Sequence, residues 1–186
     1  MFAIETPRDT ADLRRQLQHL EGEIAEYLEA SFEDEAFFEP QGDHWAPSGH
    51  IRHLSKSIRP LAKAMGLPKL MLRLRFGTSK NGSRDFEAVR TQYQEALASG
   101  VAQAGGYGPS SATPDLTPAE WRAQIMGHFR TAGQQLDTAI GGWSERQLDT
   151  LRLEHPILGP MTVRELLYFT LYHNAHHARR IHERAG

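Results

Sequence analysis

The stretch Met161-Thr162-Val163-Arg164-Glu165-Leu166-Leu167-Tyr168-Phe169-Thr170-Leu171-Tyr172-His173-Asn174-Ala175-His176-His177 decides how the rest of the chain is read. Val163, Leu166, Thr170, His173, His177 and then Ile181 recur at alternating spacings of three and four, the period of an amphipathic helix. Thr162 followed three residues later by Glu165 has the capping-box spacing that opens such a helix. Histidines four apart lie about 40° apart around a helix axis, so the rings of His173 and His177 can reach one point. Both also fall on the apolar stripe, where polar rings are uncommon.

Working outward, three more long helices share this grammar. The first spans roughly Asp9 to Ser31, with Leu13, Leu17, Leu20, Ile24 and Leu28 on one face and Asp9 or Thr10 as its cap. The second opens at Trp45-Ala46-Pro47-Ser48, with proline in the first turn. Ile51, Leu54, Ile58, Leu61 and Met65 form its stripe, Gly66 and Pro68 end it, and Pro60 is placed to kink or divide it. The third opens at Thr117-Pro118-Ala119-Glu120, again with the box spacing, and carries Trp121, Ile125, Phe129, Ala132, Leu136 and Ile140. Between the second and third lie the basic, amphipathic Lys69–Lys80, a possible short helix from Asp85 to Ala98, and a Gly/Pro/Ser-rich surface loop from Gly100 to Asp115. No β-alternation stands out. The expected fold is an all-α four-helix bundle over residues 1–186, one domain, with a long crossover connection between helices two and three.

Bulk properties bound the function. The chain has 186 residues, a net charge of −2 and no cysteine. The charge balance argues against nucleic acid as a partner. No apolar run is long enough to span a bilayer, and the N-terminus lacks a secretory pattern, so no membrane partner and a cytoplasmic location are expected. Without cysteine, thiolate ligands and cysteine nucleophiles are excluded. No Ser-His-Asp order or phosphate-cradling glycine loop is present.

Ten histidines are many for this length. Neutral imidazole binds zinc, nickel and similar ions, and a helix fixes two rings at little entropic cost. The plainer reading makes His173 and His177 helix histidines satisfied by backbone or carboxylate partners. Two rings on one stripe, with His50 and His53 clustered far upstream, favour a metal site instead. Periodicity places His50 about 60° from the centre of the second stripe and His53 roughly 120° away, which favours His50 as the third ligand. Glu165 reads as a cap rather than a general base, and Trp45 as an anchor rather than a stacking platform. Tyr168 and Tyr172 read as packing residues. Asp43 and His44 could line a pocket mouth. Lys69–Lys80 reads as a cover for the bundle with solvated charges. His155 and His182 have no pattern around them.

Two segments carry a family resemblance. Trp45-Ala46-Pro47-Ser48-Gly49-His50-Ile51-Arg52-His53-Leu54 resembles the second-helix signature of the DinB-like superfamily. Leu158-Gly159-Pro160-Met161-Thr162-Val163-Arg164-Glu165-Leu166-Leu167, followed by His173-Asn174-Ala175-His176-His177, resembles its last loop and helix. The chain departs from the family pattern in reading Ala178-Arg179-Arg180 where many members have Arg-Gly-Gln. The resemblance implies a site for one divalent metal ion made of His53, His173 and His177, which leaves His50 beside the site or at the surface, while the three-residue spacing from His173 keeps His176 open as a substitute ligand. Zinc or nickel are the expected ions, with iron or manganese as alternatives. It implies a metal-dependent enzyme acting on a small-molecule substrate, by transfer from a low-molecular-weight thiol or by hydrolysis. The alternative is a non-catalytic ligand-binding or stress-response module. It also implies a homodimer, which the off-stripe Phe169 and Leu171 mildly support.

Overall fold

The computed structural model describes residues 1–42, 44–100 and 115–185. The expected Gly100–Asp115 loop falls almost entirely outside them, as does Asp43. Among the described residues are seven α-helices, a 3-10 turn at Ala36–Phe38 and one short hairpin: α1 (Thr10–Ser31), α2 (Pro47–Met65), α3 (Lys69–Phe76), α4 (Phe86–Ala98), α5 (Pro118–Gly141), α6 (Glu145–Thr150), β1 (Arg152–His155), β2 (Gly159–Thr162) and α7 (Val163–Ala185).

Three of the four long helices start where a side chain pairs with free backbone N–H groups, whereas α2 has no side-chain cap and opens with Pro47 in its first turn. Asp9, not Thr10, caps α1 by accepting from the Asp12 N–H at 2.7 Å. Thr117 and Glu120 form the full capping box on α5. At α7, Thr162 accepts from the Glu165 N–H at 3.2 Å, while the Glu165 carboxylate accepts from the Thr162 N–H at 3.0 Å. Glu165 therefore caps, and it does more. Arg84, just ahead of α4, donates through its backbone N–H and its guanidinium to the same carboxylate. This pair, with Glu165 buried and Arg84 exposed, ties the entry of α4 to the entry of α7.

The stripes meet as expected. Leu13, Leu20 and Leu28 of α1, Ile51, Leu54 and Ile58 of α2, and Phe129 and Leu136 of α5 are all buried in one core. α5 packs on α2 and α1, and α7 packs on α1 and α2, closing a ring of four long helices. Pro60 does not divide α2, which runs unbroken to Met65. α7 is the most interior helix. From Val163 to Ala178 only Tyr168 and His176 escape burial. α4, α6 and the hairpin cover the sides that the other long helices leave open, so Phe169 and Leu171 are interior to this chain and give no support to a dimer face.

The β1–β2 hairpin is absent from the sequence expectation. Its strands have four residues each, in antiparallel register with Leu153 opposite Met161 and His155 opposite Gly159. Four residues are too few for alternation to register, and the main local signal is Gly159 at φ +74°, a turn conformation that suits glycine. α6 was likewise unexpected, although Ser144 and Gln147 form a capping box. α3 covers the bundle through buried Leu72 and partly buried Phe76, while Arg73 and Arg75 stay exposed together with Leu70, Met71 and Leu74. No helix among the described residues is long and apolar enough to cross a membrane.

Candidate metal centre

Two helices supply the histidines. On α7, Leu166, Thr170, His173, His177 and Arg180 follow one helical line down a cavity wall. On α2, His53, Ser57, Pro60 and Ala64 do the same on the facing wall, at the flank of the dry stripe. This flank explains why periodicity undervalues His53. The arithmetic measures distance from the core centre, whereas the cavity opens beside the core.

The structure brings His53, His173 and His177 together. Each offers one ring nitrogen, and these nitrogens lie within 4.8 Å of one another. The Nε2 atoms of His53 and His173 are 2.9 Å apart. The His177 ring centroid is 4.6 Å from those of both His53 and His173. A tetrahedral zinc with bonds of about 2.0–2.1 Å spaces its ligand nitrogens by about 3.3 Å, close to this arrangement.

His50 is buried and takes a different place. Its Nδ1 is 2.7 Å from Nδ1 of His177. One of these nitrogens carries the shared hydrogen. When His177 donates it, His177 presents Nε2 as a bare lone pair, and the His50 contact holds that tautomer. The residue favoured by periodicity thus positions a member of the trio. His176 is half-buried, edge-on to Tyr93 and His177, and outside the trio.

Burial pulls His173 and His177 well below the ordinary imidazole value, and the neighbouring histidines push the same way. Both rings are neutral at neutral pH, the state in which imidazole ligates a metal. Nδ1 of His173 is buried with no partner among the described residues. The donor set, all neutral imidazole nitrogen at this spacing, fits a divalent ion.

A cavity of about 900 Å³ opens onto the trio. Trp45 is half-buried on its wall and packs against three histidines, its ring stacked on His177 at 6.0 Å and beside His50 and His53 at 5.4 Å. It is both an anchor and a wall of the site, which the sequence reading did not foresee. His44 reaches the mouth, near Arg180. The hairpin forms the opposite wall and contributes His155, a residue without a sequence pattern. Burial pushes that imidazole down to about 4. Tyr168 packs edge-on against Phe86, and the Tyr172 hydroxyl accepts from Gln94 at 3.0 Å, so both are packing residues.

A helical bundle with a histidine trio lining a large cavity defines a class of protein rather than one activity. The chain matches the family model of the DinB superfamily over residues 16–181, and it belongs to that superfamily. No curated protein and no solved structure matched the chain.

Proposed function

We propose that this protein is a divalent-metal-dependent enzyme that transfers a low-molecular-weight thiol to a small electrophile. The observation that carries this reading is the trio of imidazoles, two of them buried and neutral, opening onto a cavity of about 900 Å³. That volume is at the upper end for small-molecule sites and accommodates two reactants side by side.

His53, His173 and His177 would hold the ion, which when bound supplies the positive charge that keeps a thiol ionised and nucleophilic at neutral pH. The chain has no cysteine, so the thiol comes from a cosubstrate. His50 fixes the direction of the His177 lone pair. Phe169, Trp45, Leu153 and Ile157 give the second reactant an apolar wall that excludes water. Lys56 and Arg180 place positive charge on the lining, which suits an anionic thiol. Metal-assisted hydrolysis calls for a base to steer water, and Glu154 on the hairpin is the sole carboxylate among the described lining residues. Thiol transfer needs no such base, because the thiol proton leaves to solvent.

The test is turnover of an electrophile such as 1-chloro-2,4-dinitrobenzene by untagged protein with added zinc or nickel and a panel of low-molecular-weight thiols. Wild-type protein turns over and His173→Ala does not. Equal rates in both remove the proposal. Stoichiometric metal without turnover favours the binding module, as does metal content under about 0.1 per chain after reconstitution.

A further inference from the structure

The hairpin carries a hydrogen-bond donor that the metal chemistry does not use. His155 ends β1, and its Nδ1 accepts the backbone N–H groups of Ile157 at 3.2 Å and Leu158 at 3.0 Å. These two bonds close the turn between the strands and occupy the Nδ1 lone pair. A neutral imidazole has one N–H, so here it sits on Nε2. Nε2 has no hydrogen-bond partner among the described residues, and the ring lines the cavity. The ring is held in place by the edge of Phe169, with centroids 4.4 Å apart. Phe169 in turn stacks on His173 at 5.0 Å and 19°. A fixed N–H donor therefore stands one aromatic ring away from the histidine trio.

We propose that His155 is a binding subsite for an uncharged oxygen acceptor, a ketone, ester or amide oxygen, on the molecule that the cavity takes. This inference rests on reading the cavity as a substrate chamber. The turn explains Nδ1 but leaves Nε2 without a structural task. Because Nδ1 cannot take a proton without releasing both backbone groups, the ring stays neutral. It acts as a permanent donor rather than a cation or a proton shuttle. A neutral donor in an apolar wall selects a neutral acceptor, since a carboxylate there would lose its hydration for one uncharged hydrogen bond. An apolar molecule with a carbonyl group would thus be oriented with its oxygen on the hairpin and its remainder toward α2 and α7.

The probes are 4′-fluoroacetophenone and 1-ethyl-4-fluorobenzene, alike in size and differing in the carbonyl. Their affinities are read by fluorine NMR on metal-free protein, so that no ion competes for the oxygen. His155→Asn keeps an acceptor for the turn, because an asparagine side chain caps N–H groups two and three residues on. The preference of wild type for the ketone should fall about fivefold in His155→Asn, with affinity for the alkyl probe unchanged. In wild type itself, nitrogen-15 spectra should show the Nε2–H tautomer of His155, shifted by the ketone and not by the alkyl probe. An unchanged ketone preference, or equal response of His155 to both probes, overturns the subsite. Zinc affinity of His155→Asn is measured alongside and should match wild type. A failure of the metal reading would appear as absent zinc binding in both proteins, separate from the probe selectivity.

Discussion

Replacing His50 by phenylalanine tests whether the trio is a positioned metal site or three rings that happen to meet. His50 is buried, and its Nδ1 lies 2.7 Å from Nδ1 of His177. Phenylalanine keeps an aromatic ring in that space but cannot share a hydrogen with Nδ1 of His177. The His177 ring then loses the contact that selects its tautomer and aims Nε2. Outer partners of this kind are worth about 10–100-fold in metal affinity, or about 1.4–2.7 kcal/mol. A competitive titration of untagged protein with zinc and a chromophoric chelator gives the dissociation constants. His50→Phe should weaken zinc within that range, and His177→Ala by more. Thermal unfolding without metal separates folding damage from lost binding. If His50→Phe binds zinc within twofold of wild type, the positioning role assigned to His50 is wrong. If His177→Ala does so too, the metal site itself is wrong.

Three further outcomes test the scaffold. Arg84→Ala leaves the Glu165 carboxylate, 5% exposed, with only the backbone N–H groups of residue 84 and Thr162, and should cost about 1–2 kcal/mol in denaturant unfolding, less than a fully buried pair because Arg84 is 41% exposed. A loss under about 0.5 kcal/mol would show the pair to be dispensable. Glu21 lies against Gly133, where burial first and then the charge of Asp137 raise its carboxyl from 4.5 to about 7. The native state thus binds a proton that the unfolded state has released, so the contribution is complete below about pH 4.5 and is lost as pH rises through about 7. The loss is about 3 kcal/mol at most, since Glu21 is only half-buried. Glu21→Gln should match wild type in thermal melts near pH 4 and exceed it near pH 8, and parallel curves would refute the assignment. Asn174 is fully buried with no partner for either amide atom among the described residues. Asn174→Leu should raise stability by about 1–2 kcal/mol, whereas a loss would mean that its amide is satisfied by internal water.

Periodicity and caps made the four long helices legible, because Leu13 to Leu28, Ile51 to Met65, Ile125 to Ile140 and Val163 to Ile181 each repeat for several turns. Thr117–Glu120 and Thr162–Glu165 marked two of their starts. The hairpin was not legible, since strands of four residues give alternation no room, with Leu153 alone buried in β1 and the adjacent Met161 and Thr162 buried in β2. α7 reads as amphipathic from its strongest stripe, yet its burial also depends on α4, distant in sequence, and on the hairpin just ahead of it, which the sequence pattern did not mark. The pairing of His173 with His177 followed from helix geometry alone. Choosing between His50 and His53 did not, because both face the cavity side of α2 and the structure gives each its own task beside α7. His155 was invisible for a different reason. Its role depends on a turn that closes over its own Nδ1, and no spacing rule marks that arrangement.

The central claim is that one divalent ion sits where the rings of His53, His173 and His177 converge. Crystals of untagged protein grown with zinc, with anomalous data collected on both sides of the zinc edge, test it most directly. The account predicts one strong peak about 2.0–2.1 Å from a nitrogen of each of these three rings. A peak elsewhere, or none at that point in crystals that took up zinc, would contradict it.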